Sequence, residues 1–208
     1  KLSDVNLVRI QLLIKQRSRK PGLRLPQFPK SEIDLVLEQI DQLTGIVTTS
    51  DHEKLINYRD RAFVFCLADT GLRVHEACKL RRGDMNWYEH RAIVIGKGNR
   101  EAVVRFSERS IQKIKEYLSL RANLDGSTGI SLSALPIFAR HDKGAGKRIT
   151  QITTTTGRNI VTQRVIEFLG AEAAGTITPH SFRHYFVTRV LQATGNLKLA
   201  QSLARHTN

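Results

Sequence analysis

At 208 residues the chain is long enough for one large domain, or for one domain with a fragment of another. Its apolar fraction of 40% is ordinary for a globular protein. No apolar stretch approaches the ~20 residues of a membrane span, and no segment resembles a secretory leader. The charge is the unusual feature: 33 Lys and Arg against 19 Asp and Glu leave a formal net charge of +14. Such a balance points to a polyanionic partner, nucleic acid ahead of a membrane surface, with a merely scattered basic surface as the alternative. Cys66 and Cys78 lie in apolar or helical stretches without a C-x-x-C spacing, so they read as reduced core residues of a cytoplasmic protein rather than as redox or zinc groups.

Taken in chain order, Leu2 to Ile14 is apolar enough for a short helix. Residues 15–30 follow as an extended basic linker, in which Lys15, Arg17, Arg19, Lys20, Arg24 and Lys30 alternate with Pro21, Gly22, Pro26 and Pro29. The linker suits a strap along a phosphate backbone, or is simply solvated. The division expected is therefore 1–29 as the possible remnant of an earlier domain plus linker, and 30–208 as a compact domain. Ser31 and Asp34 have capping-box spacing, and Ile33, Val36, Leu37, Ile40 and Leu43 follow with helical spacing. A second helix is predicted over 51–69; its half from Ala62 to Ala68 is apolar on all faces, hence buried, and Gly71 stops it.

A short helix is predicted over 74–80. The period then changes to that of strands at 91–95 and 102–106, with Gly96-Lys97-Gly98-Asn99 between them as a hairpin turn. Ser107 caps a helix bearing Ile111, Ile114 and Leu118. Residues 123–135 read as a loop, as do residues 141–148; in the latter, Gly144-Ala145-Gly146-Lys147 lacks the full spacing of a nucleotide-binding loop. Three helices close the chain. One runs over 157–169 with Val161, Val165 and Phe168 inward. One opens at Thr178-Pro179 and stops at Gly195, and one is capped by Asn196 and ends near His206. The elements add up to a mainly α chain with a small antiparallel β-sheet.

Three islands carry chemistry. In the third, Thr178-Pro179-His180-Ser181-Phe182-Arg183-His184, His180 sits in the first turn of a helix, where free N–H groups favour an anion, and Arg183 is three residues on. Arg offers a planar fork that matches phosphate oxygens, although an isolated H-x-x-R is more often ordinary helix surface. His180 and His184 could meet on one ion, but no carboxylate or cysteine nearby adds ligands, so no metal is expected. Arg73 follows the glycine that ends the buried helix and is placed to aim into a cleft, or to pair with Glu76 three residues later. Lys97 sits at a hairpin tip, where a solvated lysine is the common fate. Glycines on both sides nevertheless allow close approach to another backbone.

Together the islands resemble the tyrosine recombinase (phage integrase) family. Thr70-Gly71-Leu72-Arg73-Val74-His75-Glu76 is similar to its first-arginine motif. Gly96-Lys97-Gly98-Asn99, with Lys97 24 residues beyond Arg73, is similar to its lysine hairpin. Pro179-His180-x-x-Arg183-His184 is similar to its H-x-x-R motif, and Leu203-Ala204-Arg205-His206 to its Leu-Gly-His motif. The resemblance runs from about Lys30 to Asn208 in the family's order. It implies the DNA breaking-rejoining catalytic fold and site-specific recombination through a 3′-phosphotyrosyl intermediate. Arg73 and Arg183 would clamp the phosphate, His180 would transfer a proton, His206 would bond a nonbridging oxygen and Lys97 would protonate the leaving 5′-oxygen. Glu76 and His184 are supporting residues. Lys15, Arg17, Arg19, Lys20, Arg24, Arg100, Lys147 and Arg148 would add backbone contacts.

Two departures stand beside the resemblance. Arg205 occupies the place of the glycine in Leu-Gly-His, and the family's tyrosine falls several residues beyond His206, where none of Tyr58, Tyr88, Tyr117 and Tyr185 lies. The fragment is therefore expected to bind double-stranded DNA without cleaving it and to be monomeric, whereas the complete family member assembles as a homo-tetramer on DNA. The resemblance also implies no cofactor, no membrane partner and a cytoplasmic, nucleoid-associated location. The alternatives are a non-catalytic DNA-binding protein on the same scaffold, or a type IB topoisomerase or telomere resolvase.

Overall fold

The computed structural model describes residues 29–45, 50–96, 101–142, 144 and 148–205. The expected first helix and basic linker, the hairpin tip 97–100, Lys147 and His206 lie outside the described residues. Among the described residues no helix is long and apolar enough to cross a membrane.

Helix α1 (Lys30–Gln42) buries Ile33, Val36, Leu37 and Ile40, the face its spacing dictates. Its expected capping box does not form. Pro29 holds the N-cap position without a side-chain cap, and Ser31 donates to Glu32 at 2.9 Å. Asp34 instead accepts from the Tyr185 hydroxyl at 2.5 Å, a tertiary contact that outweighs the local one.

Helix α2 (Asp51–Thr70) is the centre of the fold and packs against α1 and three later helices. Ser50 accepts from the Glu53 N–H at 3.1 Å and starts it. From Ala62 to Ala68 every residue is buried, so this half has no solvent face. Gly71 ends it at φ +61°, in the left-handed region. A Cβ there would also stand 2.5 Å from the Phe186 ring. Helix α3 (Val74–Lys79) follows at once.

The sheet has three antiparallel strands in the order β1 (Met85–Asn86), β2 (Arg91–Ile95), β3 (Glu101–Arg105). Ile95 opposite Glu101 fixes the hairpin register. Ala92, Val94 and Val104 face the core, while Ile93, Ile95 and Val103 face outward. The two-residue β1 was too short to show a period in the sequence.

Helix α4 (Glu108–Leu120) is capped by Ser107, which accepts from the Ser110 N–H at 3.0 Å. The stretch 123–135, expected as a loop, contains helix α5 (Ala122–Gly126) and a 3₁₀ turn (Leu132–Ala134). The reason is Arg121. Fully buried, it pairs with Asp125 one turn on at 2.8 Å and also donates to Tyr117 Oη and to the Pro136 and Ile137 carbonyls. Such buried ion-pair chemistry is invisible to composition.

Helix α6 (Thr154–Leu169) begins three residues before its expected start because Thr153 caps it, accepting from the Thr156 N–H at 3.0 Å. Val161 and Val165 are buried and Phe168 packs partly buried against the core. Helix α7 (Pro179–Thr194) ends at Gly195 as expected, and α8 (Leu197–Leu203), capped by Asn196, stops short of His206. Cys66 and Cys78 are buried free thiols.

Helix α6 approaches α2 and α3 closely at Gly157. A Cβ there would lie 2.9 Å from Cys78 Sγ and 2.9 Å from Phe63. Gly157→Val should therefore cost about 1–3 kcal/mol of unfolding free energy, the usual range for overpacking; a urea midpoint equal to that of the parent would contradict this packing.

A second expectation concerns pH. Burial, with Arg59 and Arg121 nearby, pushes the His141 imidazole down to about 3, and its Nε2 lies 2.7 Å from Tyr117 Oη. The unfolded chain binds this proton more readily than the folded one. The stabilising preference for neutral His141 is thus complete above pH ~6.5 and is lost as pH falls toward 3. His141→Gln should flatten that limb of a urea-midpoint-versus-pH curve relative to the parent; parallel curves would show that His141 carries no such linkage.

Candidate active site

The end of α2 places Arg73 just after the left-handed turn at Gly71, in extended conformation, as the residue that caps α3. Glu76, in the first turn of α3, is fully buried at its side chain. One of its oxygens accepts from the Arg73 guanidinium at 3.0 Å; the other accepts from the Arg73 backbone N–H at 2.9 Å. The alternative written into the sequence, an Arg73–Glu76 ion pair, is therefore real. It does not remove Arg73 from service, since 35% of that side chain remains exposed. The carboxylate holds the guanidinium at the edge of a cavity of about 890 Å³ between α3 and β2, lined also by His75, Lys79, Arg81 and Gln151.

Arg183 comes to the same place from α7. It is only 4% exposed. Its Nη1 donates to the Gly71 carbonyl at 2.5 Å and its Nη2 to the Ala204 carbonyl. Both acceptors lie at helix C-termini, of α2 and α8, where unpaired carbonyls carry partial negative charge. Burial, Arg73 and Arg205 together push the Arg183 guanidinium down to about 10, so it stays charged at neutral pH.

Arg205 completes the cluster. Its φ of +56° is the backbone conformation a glycine would take without cost. The position that departs from Leu-Gly-His thus takes a left-handed conformation while carrying a side chain. That side chain pairs with Glu76 at 2.8 Å.

The first and third islands and the C-terminal motif therefore converge. His180 and His184 do not turn inward with Arg183. Both are exposed, and their rings meet edge to face at 4.4 Å; burial first, then His180 and Arg183, hold the His184 imidazole below its ordinary value. Among the described residues no group of three or more His, Cys, Asp or Glu could hold a metal ion. Arg148 is exposed on the loop before α6. Lys15, Arg17, Arg19, Lys20, Arg24, Lys97, Arg100, Lys147 and His206 lie outside the described residues.

A family model described as the phage integrase family matches residues 35–208. The chain belongs to the phage integrase family. Among curated relatives, the tyrosine recombinase XerC of Pelobacter propionicus is 32% identical over 192 residues, covering 92% of this chain and 58% of the relative. XerC of Vibrio cholerae is 29% identical over 170 residues, covering 81% and 50%. The chain thus spans 50 to 58% of the length of these two relatives. The fold matches the crystal structure of XerA recombinase with a TM-score of 0.64 at 22% identity, over 98% of this chain and 66% of that one. It also matches XerH site-specific recombinase bound to difH substrate in a pre-cleavage complex, with a TM-score of 0.64 at 21% identity, over 98% and 57%.

Within this family fold, His75 and Lys79 were not singled out in the sequence, although their spacing of four on one short helix puts both on one face. Arg81, just past the helix, lines the same cavity. Arg183 ties two helix ends together, so removing it should show in stability. Arg183→Ala leaves two carbonyls without their donor, at about 1–3 kcal/mol for each buried group left unsatisfied. Urea unfolding of the chain should register that loss, and an unchanged midpoint would mean that the two bonds do not hold the fold.

Proposed function

We propose that the protein carrying this chain is a site-specific DNA recombinase that breaks and rejoins double-stranded DNA through a covalent 3′-phosphotyrosyl link. The observation that carries the reading is the convergence of Arg73 and the buried Arg183, far apart in the sequence, around one buried carboxylate, with Arg73 at the edge of a cleft. Two guanidiniums fixed in place suit a phosphoryl transition state, whose charge gathers on nonbridging oxygens. Exposed Lys79 and Arg81 extend the positive lining outward along the cleft, where a phosphate backbone would run.

In this reading a tyrosine beyond His206 attacks the scissile phosphorus. One P–O bond forms to the tyrosine and one breaks to the 5′-oxygen, so the phosphoester energy is kept and the reverse step can join a new strand. His180 transfers the tyrosine proton, Lys97 protonates the leaving 5′-oxygen, and His206 bonds a nonbridging oxygen. His184 and Glu76 support the arginine cluster. None of the four tyrosines of the chain lines the cleft beside Arg73. Tyr117 and Tyr185 are buried, the second bonded to Asp34. Tyr58 packs partly buried beneath Arg61, and Tyr88 is 94% exposed beside the β1–β2 turn. The complete protein would assemble as a homo-tetramer on paired sites, acting in contact with the chromosome or a mobile element.

The direct test extends the chain to its natural C-terminus, mixes it with nicked suicide DNA taken from the flanks of its own gene, and looks for a covalent band on a denaturing gel. The band should vanish on Tyr→Phe at the nucleophile and on Arg183→Ala. DNA binding without a band on any flank would favour a non-catalytic DNA-binding protein on the same scaffold. Relaxation of supercoiled DNA without strand exchange would favour a type IB topoisomerase. DNA affinity should also fall steeply between about 50 and 200 mM salt, as release of several counterions requires; a flat dependence would sink the basic-cleft assignment.

A further inference from the structure

The position where the family pattern has glycine carries Arg205, and the structure gives this residue a specific place. It is one of two non-glycine residues at positive φ among the described residues, at +56°. Its side chain is 13% exposed and ends on Glu76 Oε2 at 2.8 Å. Its Nε and Nη1 are buried and find no partner among the described residues. An L-residue in the left-handed region with two unmatched buried donors is a costly arrangement, so it calls for a compensating role.

The role follows from the charges. Glu76 is the one carboxylate bonded to this cluster among the described residues, and it is completely buried. Around it stand three guanidiniums, those of Arg73 and Arg205 bonded to it directly and that of Arg183 close enough to be held down by both. With Arg205 present, the cluster carries two uncompensated positive charges. Without it, Glu76 Oε2, which also accepts from the Arg73 N–H, would be open to a second guanidinium N–H of Arg73, and the cluster would keep one uncompensated positive charge in place of two. The groups facing Arg205 are Glu76 and Arg73 of the α3 segment, Cys66 of α2 and Arg183 of α7. Cys66 is neutral, because burial drives its thiol far above its ordinary value.

We infer that Arg205 is a positioning residue that shares Glu76 Oε2 with the Arg73 N–H, leaves the Arg73 guanidinium a single bond to Glu76, and thereby sustains the excess positive charge that receives a phosphate group. It acts through Glu76 and Arg73 and does not itself reach the cleft. The inference rests on the proposed reading of Arg73 and Arg183 as phosphate ligands.

The experiment compares Arg205→Gly, Arg205→Lys, Glu76→Gln/Arg205→Gly and the parent. Glycine fits the left-handed turn, so the backbone is preserved, and thermal melting confirms folding. In the extended protein, Arg205→Gly should slow single-turnover cleavage at saturating DNA by about tenfold or more, while the dissociation constant for DNA moves by less than about threefold. Arg205→Lys should recover part of the rate. Adding Glu76→Gln to Arg205→Gly should also recover part of it, because removing the carboxylate restores two uncompensated charges.

A double variant slower than Arg205→Gly alone would overturn the inference, since two packing losses add while two opposite charges cancel. A parental rate for Arg205→Gly would overturn it equally. If the extended parent itself forms no covalent product, it is the recombinase reading that fails. The charge claim is then read separately on this 208-residue chain, from the melting shift that inorganic phosphate induces. That shift should shrink in Arg205→Gly and return in the double variant, and equal shifts in all four proteins would refute it.

Discussion

The structure depends on Arg183 and on what its guanidinium does with the ends of two helices. A helix C-terminus leaves carbonyls without intrahelical donors, and here two such ends, at Gly71 and Ala204, point at the same buried cation. Their partial negative charge offsets part of the cost of burying the guanidinium. In return the guanidinium fixes where α2 stops and where the last described turn lies. Because Arg73 begins two residues after Gly71 and Arg205 follows Ala204, the same two bonds also place the other members of the cluster. Fold and site share one fastening, which is why the site lies at helix ends and not on a helix face.

The second constraint is the one carboxylate bonded to this cluster among the described residues. A fully buried Glu76 with no partner would be untenable, and with one partner it would neutralise it. Shared between Arg73 and Arg205, it organises without cancelling. The depressed value of Arg183 comes from burial first and then from the neighbouring guanidiniums of Arg73 and Arg205, which lower its hold on a proton. The adjoining cavity is lined by Lys79, Arg81 and the exposed edge of Arg73.

Helix α2 supplies the rigidity this needs. Its stretch from Ala62 to Ala68 is buried throughout, and Gly157 lets α6 close on it and on α3 with no side chain between. The position of Arg73 is therefore inherited from the most buried element of the molecule. His180 and His184, by contrast, stand on the solvent-exposed side of α7.

By itself the sequence determined the helices with clear apolar spacing, the hairpin, the caps at Ser107, Asn196 and Gly71, the basic balance, and the residue types at Arg73, Glu76, His180 and Arg183. These are local signals, set by periodicity and by the conformational needs of single residues. What it could not determine were the features made by contacts distant in the chain. Asp34 was drawn from a capping box to Tyr185, 151 residues away. Helix α5 formed because Arg121 found Asp125 and two carbonyls in the core. Arg205 read as a misfit in a motif, and only the tertiary structure showed it in a glycine's conformation, sharing a carboxylate 129 residues back. A local pattern records what a residue can do alone; whether a buried charge is tolerated depends on which partner the fold brings to it, and that is decided only when the chain is packed.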